Sequence, residues 1–253
     1  MGKVITVHSF RRSAGRSSLV ANLGVLMAEE GRKVALLDTD FQAPSLHLLL
    51  QLPEDKLRNT LNDYLWGDCG IQAVVHEASD WLNIPTPGRL YLLPASPNIT
   101  HIMRMLAGSY DFEKLDQGLC ELLQDLDLDY LILDAAAGLN QDTLFSMALS
   151  NTVVIMMRPD KQDYQGTAVT VEVARTLGDV RLLLVLNDIP DEIDPCQARK
   201  ELESSYNCEA AALLPHSDGM LALASRGLLA QQDPGDAYVV KLMELQERLG
   251  KGD

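Results

Sequence analysis

Lys3-Val4-Ile5-Thr6-Val7-His8-Ser9-Phe10-Arg11-Arg12-Ser13-Ala14-Gly15-Arg16-Ser17-Ser18 runs from an apolar stretch through an arginine-rich bend into a helical pattern. Val4, Ile5 and Val7 read as a buried strand. Beyond the bend, Val20, Leu23 and Met27 fall on one helical stripe, and Gly31 is suited to stop that helix. The unit then recurs along the chain. With the opening strand at 3–8, further strands are predicted at 33–38, 90–94, 130–134, 152–157, 181–187 and 210–214. Helices are predicted at 17–30, 111–124, 141–149, 165–177, 195–206, 218–226 and 236–249. Most of the strands are continuous apolar runs, as strands covered on both faces are. Alternation at this spacing predicts right-handed crossovers and an α/β fold with a doubly wound, mostly parallel sheet flanked by helices.

The chain has 253 residues, a formal net charge of −15 and 47% apolar residues. That apolar content fills a core without disulfides or metals and excludes disordered and collagen-like classes. The acidic balance argues against a broad basic surface for nucleic acid. Cys69, Cys120, Cys196 and Cys208 are widely spaced, with no C-x-x-C pair, so neither a zinc cluster nor a disulfide framework is expected. The N-terminus turns polar too early for a signal peptide. Gly2 and Thr6 fit a myristoylation pattern, but Val4, Ile5 and Val7 read as a buried strand needed at the start of the fold. No apolar run reaches the ~20 residues of a membrane span. A soluble, cytoplasmic protein is expected. No internal repeat or low-complexity linker divides it, so residues 1–253 are read as a single domain. The less regular segment 43–89, with Pro85, Pro87 and both tryptophans, reads as an insertion after the second strand.

Ligands of such sheets bind beyond the carboxyl ends of the strands. The first such connection compares with a phosphate-binding loop of the form G-x-x-x-x-G-K-[ST], whose backbone N–H groups curl around phosphate. Gly15 and Ser17 fit, Arg16 stands for the Lys and Phe10 for the first Gly. The second strand ends Asp38-Thr39-Asp40, and the strand at 130–134 runs through apolar residues into Asp134, the way a magnesium-organising acid is presented. On residue type alone, a solvated basic loop for the arginines and strand-end caps for the acids are the alternatives, less favoured because the bend follows the first strand, where phosphates bind in such folds.

Taken together, Arg11-Arg12-Ser13-Ala14-Gly15-Arg16-Ser17-Ser18, Asp38-Thr39-Asp40, Asp134-Ala135-Ala136-Ala137-Gly138-Leu139, Val185-Leu186-Asn187-Asp188 and Leu214-Pro215-His216 resemble the deviant Walker-motif ATPases of the MinD/ParA type. Their loop reads K-G-G-x-G-K-[ST]-[ST]. The likeness spans nearly the whole chain outside 43–89 and implies a P-loop NTPase-like fold binding ATP and Mg2+. By resemblance, Arg12, Ser13, Ala14, Gly15, Arg16, Ser17 and Ser18 would cradle the nucleotide. Asn187 would meet the adenine edge, and backbone near Pro215 would line the base pocket. Ser17, Asp38 and Asp134 would serve the metal. Asp40 would position the attacking water, Arg16 would replace the loop lysine, and Arg11 aligns with the lysine that reaches across a dimer.

The departures set the expected activity. Two family glycines are Arg12 and Ser13, and a left-handed conformation at either would cost about 1–2 kcal/mol. Arg16 keeps charge but not the point geometry of an ammonium. The expected function is a nucleotide-binding regulatory or positioning protein with a degenerate P-loop and weak or lost ATP hydrolysis. Alternatives are an active dimerising ATPase switch, or a P-loop-fold transferase of the dethiobiotin-synthetase or cobyrinate-amidating type. A nucleotide-dependent homodimer and an unidentified protein partner are implied, with no strong DNA-binding or membrane signal. In the last helix, Glu244, Glu247 and Asp253 offset Lys241, Arg248 and Lys251, so core packing is expected there instead of a membrane-seeking tail. His8, His47, His76, His101 and His216 show no metal spacing, and 158–163 reads as a charged loop.

Overall fold

The computed structural model describes residues 2–108 and 110–251. Met1, and Asp253 among the acids of the tail, lie outside the described residues. The elements run β1 (Lys3–Ser9), α1 (Arg16–Glu29), β2 (Lys33–Thr39), α2 (Leu46–Leu49), α3 (Leu61–Trp66), β3 (His76–Glu77) and β4 (Arg89–Leu93). There follow α4 (Ile99–Ala107), α5 (Phe112–Asp125), β5 (Tyr130–Ala137), α6 (Gln141–Ala148), β6 (Thr152–Met157) and α7 (Lys161–Leu177). The chain continues with β7 (Arg181–Ile189), α8 (Pro195–Tyr206), β8 (Glu209–Pro215), α9 (Asp218–Leu223), α10 (Leu229–Gln232) and α11 (Ala237–Gly250).

The strands form one sheet in the order β3-β4-β2-β5-β1-β6-β7-β8, parallel throughout except for the β3–β4 edge pair. Alternate residues of each inner strand enter opposite layers. Val34 and Leu36 of β2 pack with α1 and α11, while Ala35 and Leu37 pack with α5. In β6, Val154 and Met156 face the first layer, and Val153, Ile155 and Met157 meet α7 and α8. Both faces are therefore dry, which is why these strands read as unbroken apolar runs. The last helix is a core element, with Tyr238, Val239, Leu242, Leu245 and Leu249 buried.

All seven predicted strands are present, and the eighth, β3, comes from segment 43–89. That segment also carries α2 and α3. Two residues of antiparallel edge pairing leave no pattern to read in sequence. Helix α7 starts at Lys161, earlier than the predicted 165, because Asp160 caps it by accepting from Gln162 N at 2.9 Å and Asp163 N at 3.0 Å. Helix α4 lies outside the predicted set. Its Arg104 guanidinium stacks 3.9 Å from the Trp66 ring centroid, and Ile99, Met103 and Leu106 face solvent. This topology brings the ends of β1, β2, β5, β6, β7 and β8 to one rim, where the crossover from β1 to the neighbouring β5 and β6 opens a crevice.

Candidate functional site

The bend after β1 lies in that crevice. Gly15 precedes α1 with φ +96°, and a Cβ there would stand 2.7 Å from Asn187 Nδ2. Only glycine fits. Asn187 pins the loop by donating from Nδ2 to the Ala14 carbonyl at 2.9 Å. Ser13 is also left-handed, at φ +63°, so it carries the Cβ strain expected where the resembled motif has glycine. The first turn of α1 has neither a side-chain cap nor an acid, leaving its N–H groups directed at the bend. The Phe10 side chain fills a notch above Gly166 of α7, where a Cβ would meet the ring at 2.0 Å.

Arg16 turns inward. It is 7% exposed. Its Nε donates to the Ala135 carbonyl at 2.8 Å, its Nη1 to Ser9 Oγ at 2.5 Å and the Arg11 carbonyl at 3.2 Å, and its Nη2 to Asp40 Oδ2 at 3.4 Å. One side chain thus ties the bend to the ends of β2 and β5. Arg11 instead lies 3.2 Å from both carboxylate oxygens of Asp160 and 3.6 Å from Asp163 Oδ1. Arg12 is exposed and donates to Gln42 Oε1 at 3.1 Å.

The three acids differ in what they hold. Asp38 and Asp134 face each other across the β2–β5 register, and both are fully buried. Asp38 Oδ2 accepts from Ser45 N at 2.8 Å and Leu46 N at 3.0 Å, and Oδ1 from Asp40 N at 3.2 Å, so it fixes the loop leading into α2. Burial, then the charge of Asp134, pushes the Asp38 carboxyl well above its ordinary range. Neither oxygen of Asp134 has a well-formed hydrogen bond. Burial pushes its carboxyl up to about 7; the nearby Ser17 hydroxyl and the Arg16 charge pull the other way, and Asp40 adds to the rise. His8, behind the bend, is held down to about 3 by burial and then by the Arg16 charge. It is therefore neutral and donates from Nδ1 to the Ala136 carbonyl at 3.1 Å, with Nε2 left without a partner.

A cavity of about 330 Å³ opens beside the bend, lined by Gly15, Ser18, Asn187, Pro215 and Tyr238 among others. A groove of about 710 Å³ adjoins it and shares Arg158, Asp188 and His216. Asp188, itself left-handed at φ +59°, joins the other two: Arg158 Nη2 donates to its Oδ2, and His216 Nδ1 lies 2.6 Å from its Oδ1. The carboxylate raises the His216 imidazole above its ordinary value. A further cavity of about 860 Å³, lined by Lys3, Lys33 and Tyr130, opens at the opposite end of the strands, away from the bend and its acids.

A family model described as an AAA domain matches residues 2–181. An uncharacterised ATP-binding protein of Methanocaldococcus jannaschii is 24% identical over 250 residues, covering 98% of this chain and 88% of that protein. The septum site-determining protein MinD of Thermotoga maritima is 24% identical over 262 residues, covering 100% and 89%. Among solved structures, MinD of Pyrococcus horikoshii complexed with Mg-ADP superposes with a TM-score of 0.82 at 21% identity, covering 99% of this chain and 97% of that one. The chain belongs to the MinD/ParA-type family of P-loop ATPases.

In the frame of a MinD/ParA-type ATPase, the predicted site residues divide as follows. Arg12, Ser13, Ala14, Gly15, Arg16, Ser17 and Ser18 form the bend, and Arg16 contacts Asp40 directly. Asp38 and Asp134 sit at its floor, while Asn187 and Pro215 line the adjoining cavity. Arg11 is the residue whose surroundings differ most from its expected part, since it is paired within its own chain. Sequence reading missed Ser9, which receives Arg16 and donates to the Arg11 carbonyl at 2.6 Å. It also missed the Arg158–Asp188–His216 group, whose members are distant in sequence and meet only because β6, β7 and β8 end side by side. Asp160, read as part of a charged loop, both caps α7 and holds Arg11.

Proposed function

We propose that this chain is a MinD/ParA-like nucleotide-binding regulatory or positioning protein whose altered phosphate loop leaves ATP hydrolysis weak or lost. The observation that carries the proposal is the buried Arg16–Asp40 pair, 3.4 Å apart with both side chains 7% exposed. A carboxylate that orients an attacking water needs its oxygens free for that water. Here the side chain standing in for the loop lysine occupies the acid assigned to the water, and breaking the pair would leave a charge stranded in a dry site. Binding suffers less. The uncapped start of α1, the left-handed Gly15 and the cavity beside Asn187 and Pro215 remain in place for a nucleotide.

Magnesium fits the same crevice. The buried oxygens of Asp134, with the Ser17 hydroxyl beside them and no well-formed hydrogen bond, are an acceptor set suited to a hard cation. Ser17 and Asp134 would hold it, with Asp38 bracing the floor. Among the described residues no cluster of three His, Cys, Asp or Glu side chains could hold a metal alone, which suits an ion bound partly by phosphates. When bound, Mg2+ would neutralise charge on the phosphate oxygens.

We further read residues 1–253 as one nucleotide-binding domain with an insertion at 43–89, acting in the cytoplasm as a nucleotide-dependent homodimer with a protein partner. Among the described residues no helix is long and apolar enough to cross a membrane. Calorimetric titration with Mg-ATP, followed by phosphate-release measurements on the same sample, tests the proposal. Saturable binding without sustained release is expected. Steady release that Asp40→Ala abolishes would instead mark an active switch.

A further inference from the structure

Three guanidiniums enter the bend, and their partners are unequal. Arg16 directs four of its five N–H donors to acceptors of the protein: the Ala135 carbonyl, Ser9 Oγ, the Arg11 carbonyl and Asp40. Moving it onto a phosphate would unpair Asp40, which is 5% exposed, and detach the bend from β5. Arg11 is more accessible, but it faces the carboxylates of Asp160 and Asp163. A phosphate would have to compete with two acids of the same charge type for it. Arg12 is different. It is exposed, and among the described residues its one hydrogen bond goes to the neutral Gln42 amide oxygen, two residues past Asp40. Exchanging that bond for one to an anionic oxygen replaces a half-charged hydrogen bond with a fully charge-assisted one and strands no buried group.

We infer that Arg12 is the guanidinium that binds the phosphate chain of the nucleotide, while Arg16 clamps the crevice and Arg11 is held by α7. This assignment rests on the nucleotide-binding reading above and adds to it which side chain recognises the anion. The charge that a loop lysine supplies from the first turn of the helix is then supplied from a position where the family motif has glycine. The planar fork of Arg12 can grip two phosphate oxygens in parallel, whereas a lysine presents a point charge.

The test is calorimetry with two ligands, Mg-ATP and magnesium-free tripolyphosphate, on the wild type, Arg12→Ala and Lys200→Gln. Lys200 is exposed on α8 and matches the loss of one positive charge far from the bend. Arg12→Ala is expected to weaken both ligands by about tenfold or more, as loss of a charged hydrogen bond does. Its melting temperature without ligand is expected to stay within about 2 °C of the wild type, because an exposed side chain with one neutral partner contributes little to stability. Lys200→Gln is expected to bind within about twofold of the wild type. Wild-type-like binding by Arg12→Ala would overturn the assignment alone, and so would an equal loss in both variants, which would mark a general effect of net charge. A wild type that binds neither ligand would overturn the nucleotide reading itself.

Discussion

Asp134 ends a strand covered on both faces, and its carboxylate oxygens have no well-formed hydrogen bond. Its folded-state value of about 7 lies above the ordinary 3.8. Between about pH 4 and 7 the folded chain therefore keeps a proton that the unfolded chain has lost, and stability falls as pH rises through that window. Asp134→Asn, which mimics the protonated form, should melt several degrees above the wild type at pH 8 and at nearly the same temperature near pH 4. An equal gap at both pH values in thermal scans would show that ionisation is not the cause. Ser13 makes a second residue-scale prediction. Its φ of +63° carries Cβ strain that glycine lacks, so Ser13→Gly should raise the urea-unfolding free energy by about 0.5–1 kcal/mol. Of this chemistry, the acids and the bend were legible as residue types at strand ends. The direction in which Arg16 points was not, because Ser9, Ala135 and Asp40 come from three separate segments and only the fold brings them to one guanidinium.

The start of α7 joins two tasks at Asp160. Asp160→Ala should cost about 1–2 kcal/mol by removing the cap. Asp160→Asn keeps a capping oxygen and breaks only the half-exposed ion pair with Arg11, so it should cost less than about 1 kcal/mol in the same denaturation series. Phe10 and Gly166 couple the bend to this helix more directly. Gly166→Ala places a Cβ against the Phe10 ring and should destabilise the chain by about 1–3 kcal/mol. In a Phe10→Gly background most of that loss should vanish, and a double-mutant cycle showing additive effects would refute the contact. At this scale the sequence was readable where an element is long and buried. The inner strands follow from continuous apolar runs and α5, α8 and α11 from helical patterning. Helix α4, outside the predicted set, carries a helical apolar stripe of its own through Ile99, Met103 and Leu106. It packs its Arg104 against Trp66 and turns Ile99, Met103 and Leu106 outward, against the usual direction of an amphipathic helix.

Across the molecule, a sheet ordered β3-β4-β2-β5-β1-β6-β7-β8 gathers the ends of strands from both halves of the chain onto one rim. The bend, the acids and the cavity lined by Asn187 and Pro215 thereby become a single crevice, although they are separated by up to some two hundred residues of sequence. Strand and helix alternation made that sheet predictable. The antiparallel edge from residues 43–89 was not, since a two-residue strand leaves no period to detect. On the proposed function, Arg16 occupying Asp40 keeps the crevice from hydrolysing a bound nucleotide. The decisive measurement is single-turnover phosphate release from bound Mg-ATP for the wild type and for Arg16→Lys, which leaves Arg12 in place. Negligible release is expected from the wild type and measurable release from Arg16→Lys, lost again when Asp40→Ala is added. Release from the wild type as fast as from Arg16→Lys would show that the Arg16–Asp40 pair does not restrain hydrolysis.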